Sequence, residues 1–142
     1  MFVGTYTPKL DAKGRLFLPA KFREQLEEGL MVTRGQERCL TLYSLRDFEA
    51  LTERLREASL TQKATRDYVR LLTSGAFQES PDKQGRITLA PLLRDYASLT
   101  KDVVVIGAMN HVEIWEPAAW ASYLSEQEQH YSDLSEEIFP GI

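Results

Sequence analysis

Short runs of apolar positions alternate along the chain with polar breaks marked by glycine and proline, and their spacing predicts a string of small elements. A β segment near Tyr6 leads into Asp11-Ala-Lys-Gly-Arg15, and Leu16-Phe-Leu leaves it as a second strand. The residues between suit a tight reversal, with Gly14 free to take positive φ. Pro19 then heads a short helix, where a missing N–H costs nothing. Phe22 and Leu26 lie four apart on one face of that helix, and Gly29 is placed to end it. Two more strands, Leu30–Thr33 and Leu40–Tyr43, are joined by Gly35-Gln-Glu-Arg38. The unit reads ββαββ.

The pattern then begins again. Laid 71 residues apart, Asp11–Arg15 matches Asp82-Lys-Gln-Gly-Arg86, Gly4 matches Gly75, Tyr6 matches Phe77, Leu16 matches Ile87, Leu18 matches Leu89 and Arg23 matches Arg94. One residue added to the offset carries the match through Gly35 with Gly107, Leu40 with Val112, Tyr43 with Trp115 and Phe48 with Trp120. The second copy therefore has Gly85 in its loop, Pro91 at its short helix, and strands over Val103–Ile106 and Val112–Trp115. The two units span residues 5–47 and 76–119.

Helices are predicted after each unit. Ser44-Leu-Arg-Asp47 has the form of a capping box, and Leu45, Phe48, Leu51 and Leu55 follow at helical spacing. A further helix, about Thr61–Ser74, carries Tyr68, Leu71 and Leu72, so residues 45–74 form a helical bridge. Pro117 opens a helix running to about residue 130 with Trp120, Tyr123 and Leu124. A unit of roughly 45 residues rarely sustains its own core. The expected fold is α+β: two ββαββ units packed about a pseudo-twofold axis into one body, with flanking helices.

Composition narrows the function classes. At 43% hydrophobic the chain has ample material for a core. Met1–Arg15 interleaves charges, proline and glycines, unlike a signal peptide. Val103–Met109, the longest apolar run, is far short of the roughly 20 residues a membrane span needs. A cytoplasmic protein without a membrane partner is expected. Cys39 is the single cysteine, and no Cys/His cluster has zinc-ligand spacing, so neither an internal disulfide nor a metal is expected. His111 and His130 lack partners at catalytic or ligand spacing, and Cys39 aligns with His111 in the repeat. Trp115, Trp120 and Tyr123 read as core, and Thr73 and Ser74 have no triad context. No enzyme, cofactor or small-molecule substrate is indicated.

The formal charge of −4 is unevenly spread. Residues 116–142 hold six acids and no Lys or Arg, whereas residues 1–23 hold Lys9, Lys13, Arg15, Lys21 and Arg23 against Asp11 alone. An acidic protein can still grip phosphate through such a patch.

The repeated Asp-x-x-Gly-Arg loop is the candidate site. Gly14 and Gly85 let the backbone approach a phosphate closely. Arg15 and Arg86 present planar forks of donors that fit phosphate or the O6/N7 edge of guanine. Asp11 and Asp82 would repel phosphate, so they are expected to organise the loops by accepting N–H groups or buttressing the arginines. Lys9, Lys13 and Lys83 add positive charge. A polar turn with solvated arginine is the blander reading of one such loop, but an exposed arginine kept in both copies is not needed to make a turn.

These residues resemble the MraZ family of bacterial transcriptional regulators, whose halves are SpoVT-AbrB-type swapped-hairpin units. Met1-Phe-Val-Gly, Leu10-Asp-x-Lys-Gly-Arg-Leu16, Leu18-Pro-Ala-Lys-Phe-Arg23, Leu99-Thr-Lys-Asp-Val103, Ile106-Gly and Glu113-Ile-Trp-Glu116 carry the resemblance, which covers about residues 1–130. It implies a swapped-hairpin barrel and a nucleoid-associated homo-oligomer, forming a ring that binds direct repeats in double-stranded promoter DNA. The resemblance further implies repression of the cell-division and cell-wall gene cluster, including the regulator's own gene. DNA contact would fall to Arg15 and Arg86, with the lysines in support. The second loop has Lys83-Gln84 where the first has Ala12-Lys13, so the lysines are not equivalent. The competing class is a ring scaffold or an antitoxin-like interaction module, to which the acidic tail would belong.

Overall fold

Short strands leave most of their N–H and C=O groups on open edges, so the fold turns on where those edges find partners. The computed structural model describes residues 1–141. Its first half runs β1 (Thr5–Tyr6), β2 (Arg15–Phe17), α1 (Ala20–Arg23), β3 (Leu30–Arg34), β4 (Leu40–Ser44), α2 (Leu45–Arg56) and α3 (Lys63–Ser74). The second half repeats the order as β5 (Phe77–Glu79), β6 (Arg86–Thr88), α4 (Pro91–Tyr96), β7 (Val104–Gly107), β8 (Val112–Trp115), α5 (Pro117–Glu128) and α6 (Tyr131–Ile138). The α+β class and the repeated unit are as the sequence predicts. Helix α6 is not; its Tyr131, Leu134 and Ile138 are helically spaced, but the segment carries no capping or proline signal of its own.

The edges are satisfied across the repeat. Strand β1 pairs with β7 of the other half and β5 pairs with β3, so each copy lends its opening strand to its neighbour. The six-stranded sheet has the order β1-β7-β8-β4-β3-β5, which reads the same when the halves are exchanged. Strands β2 and β6 form a separate two-stranded ribbon. Isolated bridges Lys9↔Asp102 and Leu10↔Leu16 stitch its flank to the rest.

Two self-pairings locate the pseudo-twofold axis. Leu16 pairs with Ile87, its own counterpart, and Thr41 pairs with Glu113, its own counterpart. A pair that maps onto itself must lie on the axis, so the axis leaves the molecule through the β2–β6 ribbon at one pole and through β4–β8 at the other. The registers also correct the repeat alignment. Phe77↔Val32 becomes equivalent to Tyr6↔Val105 only if β3 and β7 are offset by 73 residues, whereas β4 and β8 are offset by 72. The second half therefore has two extra residues before β7 and one fewer in the following hairpin. Gly35 aligns with Ala108, not with Gly107. Gly107 answers a different need: a Cβ there would clash with the Val3 nitrogen.

The core lies between ribbon and sheet. Leu16, Leu18, Ile87 and Leu89 point down from the ribbon side onto Val32, Leu40, Leu42, Val112 and Ile114, all almost fully buried. Phe22 and Leu26 fill the first half's end, although α1 gives way to a 3₁₀ turn at Glu24–Leu26 before reaching Gly29, whose φ is +121°. The Phe2 and Tyr6 rings each stand nearly perpendicular to the Phe22 ring, with centroids 5.2 Å apart. A satellite cluster joins Cys39, Val104 and Trp115, with Trp120 and Tyr123 half-buried over them.

The helices are held by their ends. Ser44 Oγ accepts the Asp47 N–H at 3.1 Å, and the Glu116 carboxylate accepts from Ala118 and Ala119 ahead of α5. Arg34 Nη1 donates to the Leu71 carbonyl and Ser74 Oγ, capping the far end of α3. No helix among the described residues is long and apolar enough to cross a membrane.

Leu16 is fully buried on the axis, so Leu16→Ala should cost about 2–5 kcal/mol in urea unfolding. Because each half completes the other's sheet, tryptophan fluorescence and far-UV circular dichroism should give one coincident transition. Separate transitions would contradict the swapped pairing.

Candidate nucleic-acid interface

The two loops are built the same way, bond for bond. In the first, the Asp11 N–H donates to the Arg15 carbonyl at 2.9 Å, and the Gly14 N–H donates to the Asp11 carbonyl at 3.0 Å. Closing so tight a turn requires left-handed backbone, and Gly14 supplies it with φ +74°. Asp11 Oδ1 accepts the N–H groups of Lys13 and Arg15, while Oδ2 accepts Arg15 Nε at 2.7 Å. In the second loop Asp82 Oδ1 accepts from Gln84 and Arg86, Oδ2 accepts Arg86 Nε at 2.9 Å, and Gly85 has φ +79°.

This arrangement does two things. Each aspartate is held below the usual carboxylate pKa, chiefly by the backbone N–H of Arg15 or Arg86 that it accepts. Each guanidinium is clamped through Nε, and among the described residues its Nη groups make no hydrogen bond. The side chains are not the fully exposed arginines the sequence predicts but half-buried, 30% exposed at Arg15 and 19% at Arg86. Their free Nη groups can still pair with phosphate or guanine.

Beyond the loops, alternation along the ribbon decides which side chains join them. Leu16 and Ile87 face the core, so Arg15, Phe17, Arg86 and Thr88 share the opposite, outer face. Arg15 stands opposite Thr88, and Arg86 opposite Phe17. The two arginines are thus diagonal neighbours, roughly 7–8 Å apart at the backbone. Phe17 is half exposed, with the Arg86 guanidinium 5.8 Å from its ring.

Each loop is also fixed by the other half of the chain. The Leu18 N–H donates to the Gly85 carbonyl, and the Leu89 N–H donates to the Gly14 carbonyl. A Cβ on Gly14 would come 2.8 Å from the Arg94 guanidinium, and one on Gly85 2.5 Å from that of Arg23. Arg23 and Arg94, visible in the sequence only as matching positions, therefore lie directly beneath the opposite loops. Arg94 Nε donates to the Leu89 carbonyl, whereas Arg23 Nε is buried without a partner among the described residues.

A family model described as "MraZ protein, putative antitoxin-like" matches this chain twice, over residues 1–71 and 72–139. The chain belongs to the MraZ family. It is 55% identical to the transcriptional regulator MraZ of Micrococcus luteus and to that of Kineococcus radiotolerans, covering 100% of this chain and 99% of each relative. The transcriptional regulator MraZ of Leifsonia xyli subsp. xyli is 54% identical over the same span.

The other charges of this MraZ-family chain differ in how free they are. Lys13 and Lys83 are exposed and make no ion pair among the described residues. Lys9 Nζ lies 3.6 Å from Asp102, an exposed pair of little strength. The Lys101 carbonyl accepts the Leu10 N–H, which brings a further cation beside the first loop. No periodicity reveals that neighbour, because it reaches the loop across the repeat.

The residues set aside as chemistry are engaged elsewhere. His111, which has no partner at catalytic or ligand spacing, has Nε2 3.0 Å from Glu113 Oε2, and Trp115 Nε1 donates to Glu113 Oε1. Two residues' separation at the mouth of β8 puts His111 and Glu113 side by side. Burial would raise the Glu113 carboxyl, but these hydrogen bonds outweigh it and hold it low. Burial first, then the charges of Glu113 and Glu37, push the Cys39 thiol up to about 12, which leaves it a poor nucleophile. Ser74 Oγ accepts from Arg34, and Thr73 Oγ1 donates to the Val69 carbonyl. Among the described residues no group of three or more His, Cys, Asp or Glu could hold a metal.

Because Asp11 and Asp82 have depressed pKa values, the stability they lend their loops is present above the ordinary carboxylate pKa. It is lost as pH falls through the depressed one. The Arg15 and Arg86 Nε–H resonances should hold their positions from neutral pH down past the point where a free aspartate titrates. A change at or above the free-aspartate pKa would contradict the clamp.

Proposed function

We propose that this protein is a sequence-specific DNA-binding transcriptional regulator that reads promoter direct repeats through its paired Asp-x-x-x-Arg loops. The carrying observation is the outer face of the β2–β6 ribbon, where two clamped arginines with unused Nη groups stand side by side. A two-stranded ribbon fits the major groove, and an arginine fork matches the O6/N7 edge of guanine. Arg15 and Arg86 contact the DNA, Gly14 and Gly85 let the backbone come close, and Asp11 and Asp82 set the arginines. Lys13, Lys83 and Lys9 neutralise phosphates, the last by exchanging Asp102 for DNA. The relatives' description as transcriptional regulators supports this class.

The target in this reading is the cell-division and cell-wall gene cluster, repressed together with the protein's own gene from the nucleoid. Two small loops are too slight a footprint for tight binding by one chain, so the working form is a homo-oligomer closed into a ring. Regularly spaced repeats then meet regularly spaced protomers, and each later contact is intramolecular, raising affinity about 10²–10⁴-fold.

Arg15→Ala with Arg86→Ala should abolish specific binding to the upstream DNA in a mobility-shift titration while the chain stays folded by circular dichroism. The thermal midpoint should be modestly lowered, because each half-buried side chain also clamps its loop aspartate. Each two-point guanine contact is worth about 1–3 kcal/mol of discrimination. Parent-like binding by the double variant would sink the reading.

Salt supplies an independent check. Each phosphate contact adds about 0.9 to the slope of log affinity against log salt. Lys13→Ala should lower that slope by about one and leave sequence preference intact. A flat salt response would favour an antitoxin-like protein partner instead. Affinity should also rise steeply from one repeat to three.

A further inference from the structure

The internal duplication gives every element of one half a counterpart in the other, and one counterpart has lost its seat. Helix α3 follows α2 and is docked on the sheet: Thr33 Oγ1 donates to the Leu72 carbonyl at 2.6 Å, and Leu72 is buried. Helix α6 follows α5 in the same way, yet none of its side chains is buried. Tyr131, Leu134 and Ile138 recur at i, i+3 and i+7 and so form one stripe. Tyr131 is 75% exposed, Ile138 66% and the adjoining Phe139 56%. That is a helix built to be covered, uncovered in its own chain.

Charge indicates what covers it. Helix α6 carries Asp133, Glu136 and Glu137 and no base. Two such stripes face to face would crowd six acids together, so a symmetric α6–α6 contact is disfavoured. The outer side of α3 is the complement. Tyr68 and Leu71 are exposed there one turn apart, and the helix holds Lys63, Arg66 and Arg70 against Asp67 alone. Beside it opens a cleft of about 520 Å³ lined by Tyr43, Tyr68, Leu71 and Tyr96, with Arg38 stacked on Tyr96. Its walls offer apolar ring surface to a large side chain.

We propose that α6 of one copy packs on the outer face of α3 in the next copy, its apolar stripe against Tyr68 and Leu71 and its acids toward the α3 bases. The contact joins unlike surfaces, so each copy donates one and receives another, and the series ends only when a ring closes. This rests on the oligomeric reading above.

The test uses the full chain in two variants, Leu134→Asp with Ile138→Asp on the donor side and Leu71→Asp on the acceptor side. All three positions are exposed, so circular dichroism and the melting midpoint should stay near the parent's. By light scattering each variant should fall to the mass of a single chain, and its affinity for three-repeat DNA should drop to that for one repeat. Mixed in equal amounts, the variants should give a species of twice the single-chain mass and nothing larger, because one junction of each pair is intact. A chain ending at Gln129 should behave like the donor variant. Unchanged mass in either variant overturns the proposal, as does a fallen mass without recombination on mixing, which points to a symmetric contact. A lowered melting midpoint at unchanged mass would place α6 on its own chain and also overturn it. If the unaltered protein is itself a single chain, the oligomeric reading fails first.

Discussion

Leu16 and Ile87 meet on the pseudo-twofold axis, and that one pairing sets the geometry of everything above and below it. Below, the two side chains anchor the core. Above, their neighbours Arg15, Phe17, Arg86 and Thr88 are turned outward by the pleat. A slip of one residue would send the arginines into the core and the leucine and isoleucine into water, so register and display of the site are the same constraint. The loops inherit their positions from it, since Leu18 and Leu89 leave the ribbon by bonding to the Gly85 and Gly14 carbonyls of the opposite loops.

Much of this was legible in the chain itself. Repetition at a nearly fixed spacing exposed both units, and glycine and proline marked the reversals and helix starts. The Asp-x-x-Gly-Arg pattern singled out the loops because short-range chemistry, an aspartate reaching N–H groups two and four residues ahead, needs only local sequence. What crosses the repeat was invisible. Nothing local says that Arg94 lies under Gly14 or that Lys101 meets Leu10, since both depend on which strand β1 and β5 choose as partner. The Gly35 alignment fails for a related reason: an insertion of two and a deletion of one look like a single step until strand registers separate them.

Helix α6 is not legible in the sequence because a period of three apolar residues without a cap is a weak signal, and no core contact reinforces it. The His111 contact is hidden for another reason. Its partner Glu113 is two residues away, a spacing that carries no meaning in a helix or a loop and becomes a contact only at the entrance to a strand.

The two halves have drifted apart in small ways that add up. Lys13 occupies the third position of its loop, whereas the second loop has lysine in its second position and Gln84 in the third. Arg94 satisfies its Nε and Arg23 does not, and the hairpin opposite the ribbon is shorter in the second half. A reader with perfect twofold symmetry would lie equally well on a duplex in either direction and would favour palindromes. On the proposed DNA reading, a protein whose halves differ has a preferred heading, so successive copies on one duplex would all point the same way.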